Sequence, residues 1–176
     1  IGGLYKLFDE GIVNCRDHFV RLREKFRDKQ KNIIPVTMID VAVDKKTGII
    51  TFMNDGNGID IAKHPEHKIW IPEMIFGHLM TSTNYKKSEK KIVGGKNGFG
   101  VKLIFIYSKW AKIETVDHIR KKKYVQEFKN NLDILEKPKI TKASSAKPYV
   151  KISFLPDYER FGADGITDDM FNLFKK

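Results

Sequence analysis

A stripe of apolar residues opens the chain and limits what it can become. Leu4, Leu7, Phe8, Ile12, Cys15, Phe19, Leu22 and Phe26 recur every three or four residues, so the segment to about Arg27 reads as one long helix with a single apolar edge that must pack on something else. The next segments supply the partner. Val36 to Val43 and Ile49 to Met53 are β-rich runs joined by Asp44-Lys45-Lys46-Thr47-Gly48, a polar, glycine-ended hairpin connection. Pro72 suits the first turn of a short helix over Ile71 to Leu79, because proline there forfeits no intrahelical bond. Thr81 to Gly100 has few apolar residues, several lysines and four glycines, which predicts a long mobile loop ending at a helix start. Val101 to Tyr107 continues that helix. Trp110 to Val116 and Tyr124 to Phe128 read as strands around the basic turn His118 to Lys123, and Tyr149 to Leu155 alternates as another strand. Residues 130–148 read as a polar connection, and a last helix ends the chain. The expected fold is an α/β (α+β) two-layer sandwich: one mixed, mostly antiparallel sheet with helices over one face, forming a single domain across residues 1–176.

Composition narrows the partners. A chain of 176 residues that is 41% hydrophobic can build an ordinary core. Lys and Arg number 33 against 22 Asp and Glu, for a formal net charge of +11, which favours polyanions such as nucleotides or DNA. The one cysteine, Cys15, excludes an internal disulfide and a cysteine-built zinc cage, and makes a reducing compartment the default. No apolar run is long enough for a membrane span and no cleavable signal pattern is present, so the chain, which starts at Ile1, is expected to be a soluble fragment with no membrane partner.

Three segments carry residues suited to chemistry. Glu10, Asn14 and Asp17 lie three or four apart on the first helix and project from one side of it. Alone, that is the solvated face of any amphipathic helix. Asn54-Asp55-Gly56-Asn57-Gly58-Ile59 comes directly after a strand, where glycines allow a tight turn or the close approach of a flat ligand; a plain turn accounts for it equally well. Gly94-Gly95-Lys96-Asn97-Gly98-Phe99-Gly100-Val101-Lys102 sets glycines at a helix N-terminus, where free N–H groups and the positive dipole end attract phosphate. It lacks the ending of a Walker A loop, and the Gly56 segment lacks the third glycine of a dinucleotide fingerprint.

In that order, the three segments resemble the GHKL ATPase family of gyrases, chaperones, histidine kinases and mismatch-repair proteins. Gly3 to Glu10, Ile75 to Tyr85 and Gly94 to Leu103 look like the eukaryotic-type type II topoisomerases within it. The resemblance runs from about Gly3 to Leu155 and implies the GHKL (Bergerat) fold with residues 81–100 as an ATP lid. It implies Glu10 as general base and Asn14 as the Mg²⁺ ligand. Asp17, His18, Asp55, Gly58, Ser82, Thr83, Asn84, Lys96, Asn97, Gly98, Phe99, Gly100 and Lys102 join Asn14 as ATP-binding residues, with Asp55 receiving the adenine amino group and Lys102 nearest the phosphates. Asp55, Lys96, Phe99 and the run Cys15-Arg16-Asp17-His18 depart from the usual eukaryotic pattern, and His18 raises the prospect of pH dependence near neutrality.

Further implications are DNA and a homodimeric partner in the full-length enzyme, a monomeric fragment, and a nuclear location, or a cytoplasmic replication site if the source is viral. Another GHKL ATPase, or a basic nucleic-acid-binding module without catalysis, are the alternatives. His64 and His67 are read as an exposed loop rather than metal ligands, Arg120 to Lys123 as a solvated turn, and Trp70 and Trp110 as packing residues.

Overall fold

A computed structural model describes residues 2–78, 100–163 and 165–174. The opening stripe forms helix α1 (Gly2–Arg27), which buries Leu4, Leu7, Phe8, Gly11, Cys15 and Leu22. Phe26, expected to extend that stripe, is 57% exposed, so the apolar edge that packs on the sheet ends at Leu22.

After α1 come strands β1 (Ile39–Val43) and β2 (Ile50–Asp55), helices α2 (Ile71–Gly77) and α3 (Gly100–Ile106), and then β3 (Ser108–Asp117) and β4 (Lys122–Lys129). Two short strands, β5 (Ile134–Leu135) and β6 (Lys139–Lys142), precede β7 (Tyr149–Pro156), a 3-10 turn at Tyr158–Phe161 and helix α4 (Asp168–Phe174). The expected polar connection over 130–148 therefore contains β5 and β6. Both are too short to show an alternation, and both pair with β4. The strand order is β1-β2-β7-β3-β4-β5, with β6 also on β4. Every described pairing is antiparallel, so the parallel element of the expected mixed sheet is absent among the described residues.

Cross-strand register stacks the inner face into rows. Ile50, Phe154, Ala111 and Phe128 form one row, and Phe52, Ile152, Ile113 and Gln126 the next. The third, Asn54, Val150, Thr115 and Tyr124, lies at the end where β2 leaves the sheet. Helix α1 crosses the rows closely: a Cβ on Gly11 would sit 2.3 Å from the Phe52 ring, and the Phe8 and Phe52 rings are 5.3 Å apart. Glycine at residue 11 lets the helix backbone down onto the sheet. A satellite cluster of Leu4, Tyr158 and Met170 holds α4 and the 3-10 turn against the start of α1. Trp70 packs on the core with its ring 6.4 Å from Tyr124, and Pro72 occupies the first turn of α2 as expected.

Candidate nucleotide pocket

At the Asn54 end of the sheet, the helices and strands leave a pocket of about 310 Å³, within the range of small-ligand sites. One wall is a flank of α1. Glu10, Asn14, Asp17 and His18 all reach the pocket from successive turns, and Arg21 extends the series. Their flank adjoins the buried stripe, so these polar side chains border a cavity, whereas an unpartnered helix would give them to solvent. Glu10 is 16% exposed and 3.0 Å from the Lys6 ammonium one turn back.

The opposite wall comes from β2 and the turn after it. Side chains alternate along β2, with Ile50, Phe52 and Asn54 buried and Thr51, Met53 and Asp55 half-buried on the other face. Asn54 thus enters the pocket, 2% exposed, with Nδ2 donating to its neighbour's carbonyl at 2.9 Å. Asp55 faces away. Its carboxylate accepts from the Thr37 N–H at 2.7 Å, the Met38 N–H at 2.8 Å and the Thr37 hydroxyl. Burial works against its ionisation, yet these donors hold the carboxyl below the usual carboxylate range. The expectation that Asp55 receives a base is therefore corrected by strand parity: the inward residue is Asn54.

Gly58 borders the pocket and packs against β3 too closely for a side chain. An added Cβ would lie 1.9 Å from the Val116 carbonyl oxygen and 2.8 Å from the Thr115 hydroxyl. That hydroxyl accepts from the Ile59 N–H at 3.0 Å and donates to the Tyr149 carbonyl at 2.8 Å, tying the turn to β3 and β7.

His18 is fixed by its partners. Its Nε2 donates to the Asn57 carbonyl at 2.7 Å, which leaves Nδ1 to accept from the Arg21 guanidinium. Burial, and then the charge of Arg21, push its pKa down to about 4, so the ring is neutral at physiological pH. The anticipated titration of His18 near neutrality does not survive this environment.

Lys102 is also placed otherwise than expected. It is 2% exposed, and its ammonium donates to the carbonyls of Met74, at 3.2 Å, and His78. It thereby satisfies carbonyls at the end of α2, and Val101 is the α3 residue that lines the pocket. Ser82, Thr83, Asn84, Lys96, Asn97, Gly98 and Phe99, with most of the expected lid, lie outside the described residues; Gly100 is the first residue of α3.

Asp60 and Arg21 line the pocket without having been singled out from the sequence, and Asn54 and Asn57, named there only within the turn motif, line it too. A signal existed for Asn54, which continues the inward phase of Ile50 and Phe52. His64, expected in an exposed loop, is buried, with Nδ1 accepting from the Glu66 and His67 N–H groups at 3.2 and 3.3 Å, so it closes a turn. No group of three or more His, Cys, Asp or Glu able to hold a metal occurs among the described residues.

No protein-family model matches the chain. Individual proteins do. The chain is 49% identical to a DNA topoisomerase 2 of Acanthamoeba polyphaga mimivirus over 176 residues, all of this chain and 13% of that one. It is 41% identical to the DNA topoisomerase 2 of Saccharomyces cerevisiae over 176 residues, 12% of that protein. The chain thus spans about an eighth of the length of these curated relatives. Among solved structures, the ATPase region of Saccharomyces cerevisiae topoisomerase II superposes with a TM-score of 0.79 at 41% identity, over 98% of this chain and 43% of that one. The ATPase domain of Thermus thermophilus gyrase B, at 20% identity and a TM-score of 0.66 over 95% of this chain and 37% of that one, shares the fold.

Proposed function

We propose that this chain, which carries the GHKL ATPase domain of the type II DNA topoisomerase family, binds ATP in the pocket between α1 and the Asn54 end of the sheet, and hydrolyses it within a longer enzyme. In that enzyme ATP binding closes a gate between two subunits and drives one DNA duplex through another. The observation that carries the reading is the convergence of Glu10 and Asn14 from one wall with Asn54 from the other on a single pocket.

Each wall has a role that its chemistry dictates. Asn54 presents both an amide donor and an acceptor, and can pair with the edge of a base. Gly58 keeps the turn close against β3, where a Cβ would strike the Val116 carbonyl oxygen, and so holds its backbone in the pocket wall. The Glu10 carboxylate accepts the proton of the attacking water, a role that contributes about a hundred- to ten-thousandfold in rate. Asp17 and the neutral His18 border the same space, with Nδ1 of His18 committed to Arg21. Residues 81–100, including Ser82, Thr83, Asn84, Lys96, Asn97, Gly98, Phe99 and Gly100, form the lid over the phosphates in this reading.

The pocket also suits magnesium. With no three-residue cage among the described residues, a Mg²⁺ ion would rely mainly on phosphate oxygens and water, and Asn14 offers an amide oxygen one turn from Glu10. Bound there, it would neutralise phosphate charge during transfer. The longer enzyme acts as a homodimer on DNA, in the nucleus of a cellular source or at the cytoplasmic replication site of a virus, whereas the chain alone is a monomer with slow turnover.

A thermal-shift titration tests the proposal. Mg²⁺ with a non-hydrolysable ATP analogue should raise the melting temperature of the chain, and Asn54→Ala should remove most of the rise. Fast turnover by a monomer in sedimentation, or a wild-type chain that ignores the analogue, would count against it.

A further inference from the structure

His18 joins two elements through its two ring nitrogens. Nε2 meets the Asn57 carbonyl at 2.7 Å. A carbonyl only accepts, so the ring proton sits on Nε2 and Nδ1 presents a bare lone pair. That lone pair takes an N–H of the Arg21 guanidinium, one turn further along the same flank of α1. The anchor for this ring is itself pinned. The Asn57 N–H donates to the Ile34 carbonyl at 3.1 Å, its Oδ1 accepts from the Ile34 N–H at 2.7 Å, and its Nδ2 donates to the Asn32 carbonyl at 3.4 Å. The next residue, Gly58, is packed against β3. A fixed turn therefore holds the imidazole, and the imidazole sets the direction of the guanidinium.

The electrostatics of Arg21 show what such a holder is for. Its side chain lines the pocket, and no ion pair to it occurs among the described residues. Burial lowers its pKa, while the charge of Asp17 works the other way. A buried cation without a counter-ion is unfavourable, and a neutral imidazole supplies an acceptor without cancelling the charge. An anion in the pocket would complete the pairing. A long side chain also has many rotamers to lose, and the bond to Nδ1 selects one that keeps the guanidinium at the pocket wall. Both nitrogens of His18 are used in this arrangement, which leaves its ring no hydrogen bond to give a ligand directly.

We propose that His18 is a positioning residue: pinned through Nε2 to the Asn57 carbonyl, it aims the Arg21 guanidinium at the anionic part of the bound nucleotide and acts on that nucleotide only through Arg21. The nucleotide rests on the function proposed for the pocket, whereas the Asn57–His18–Arg21 chain stands on its own hydrogen bonds.

A double-mutant cycle provides the test, with affinity for a non-hydrolysable ATP analogue and Mg²⁺ taken from thermal-shift titrations of the chain. His18→Phe keeps a ring, removes both hydrogen bonds and should weaken binding about ten- to hundredfold, as should Arg21→Gln. Added to Arg21→Gln, His18→Phe should weaken binding by less than about twofold more, because the group it acted through is gone. His18→Gln, whose amide offers an acceptor and a donor to the same two partners, should bind within about threefold of wild type. If the Phe variant does not fold, His18→Ala takes its place in the cycle, and the melting temperature without ligand is measured on every variant. A merely structural His18 lowers that temperature, and its loss of affinity persists in full beside Arg21→Gln, which overturns the proposal. Wild-type affinity in Arg21→Gln overturns it too, as does a His18→Gln variant that binds no better than His18→Phe. A wild-type chain that ignores the analogue removes the ATP reading and the positioning role together, whereas wild-type binding with additive losses removes the positioning role alone.

Discussion

Neighbouring residues at the end of β2 should respond to mutation in opposite ways. Asp55 accepts three hydrogen bonds from Thr37 and Met38 on the outer face, and Asn54 faces the pocket. Removing the partly solvated carboxylate in Asp55→Ala leaves those donors to water and costs about 1–2 kcal/mol of stability. For a domain of this size that lowers the melting temperature by roughly 3–6 °C. The rise caused by Mg²⁺ and an ATP analogue should be unchanged. Asn54→Ala should do the reverse. With ligand at about a hundred times Kd, binding stabilises the wild type by about 2.7 kcal/mol. Removing a buried polar interaction worth about 2.7 kcal/mol weakens Kd about a hundredfold, so the same ligand concentration then contributes only about 0.4 kcal/mol. A rise of several degrees should shrink to about one. The Asp55 contribution has a pH signature too. Its folded pKa is depressed, so the stability it adds is present above the unfolded value of about 3.9 and is lost as pH falls through the folded one. Differential scanning fluorimetry of both variants, with and without ligand, decides between them. A ligand shift abolished in Asp55→Ala and intact in Asn54→Ala would refute the assignment by strand parity.

Three further outcomes are expected. Glu10→Gln should keep the ligand-induced shift and lower turnover by about a hundred- to ten-thousandfold in an enzyme that includes the remaining domains, as a coupled ATPase assay would register; unchanged turnover removes Glu10 as the base. Gly11→Ala places a methyl 2.3 Å from the Phe52 ring and should cost about 1–3 kcal/mol, read as a lower urea midpoint; a neutral result would mean that α1 can lift from the sheet freely. His18, with its pKa lowered to about 4, binds fewer protons folded than unfolded between that value and about 6.5. Stability should therefore be full above about pH 6.5 and fall by up to about 3 kcal/mol toward pH 4. His18→Asn, which cannot titrate, should flatten that fall in melting temperatures taken across the range, and an equally steep fall in the variant would exclude His18 as its source.

Legibility in the sequence tracks the strength of each periodic signal. The stripe of α1, the hairpin at Asp44–Gly48 and the long strands β3, β4 and β7 bury enough side chains to print their period into the chain. β5 and β6, with two and four residues, are held by pairing to β4, a tertiary cause that leaves no local mark. Gly11 is invisible in the sequence for a related reason: its use lies in the Phe52 ring it admits, which only the packed structure brings near.

The pocket divides along the same line. Helical spacing places Glu10, Asn14, Asp17 and His18 on one flank whatever the tertiary structure does, and all four reach the cavity. On the sheet side, the motif between Asn54 and Ile59 locates the turn, and the residue that enters the pocket is decided by strand phase. A one-residue slip exchanges the two faces of a strand. Ile50 and Phe52 fix that phase by being buried, so the alternation carried through to the end of β2 points to Asn54. No such route exists for Lys102. Its spacing from the glycines suits a phosphate ligand, but the carbonyls of Met74 and His78 at the end of α2 hold its ammonium instead. If Lys102 is to reach a nucleotide, those carbonyls must first find other donors or meet water. A buried ammonium gives up such bonds only with compensation, so any movement of Lys102 toward phosphate must be coupled to rearrangement at the end of α2.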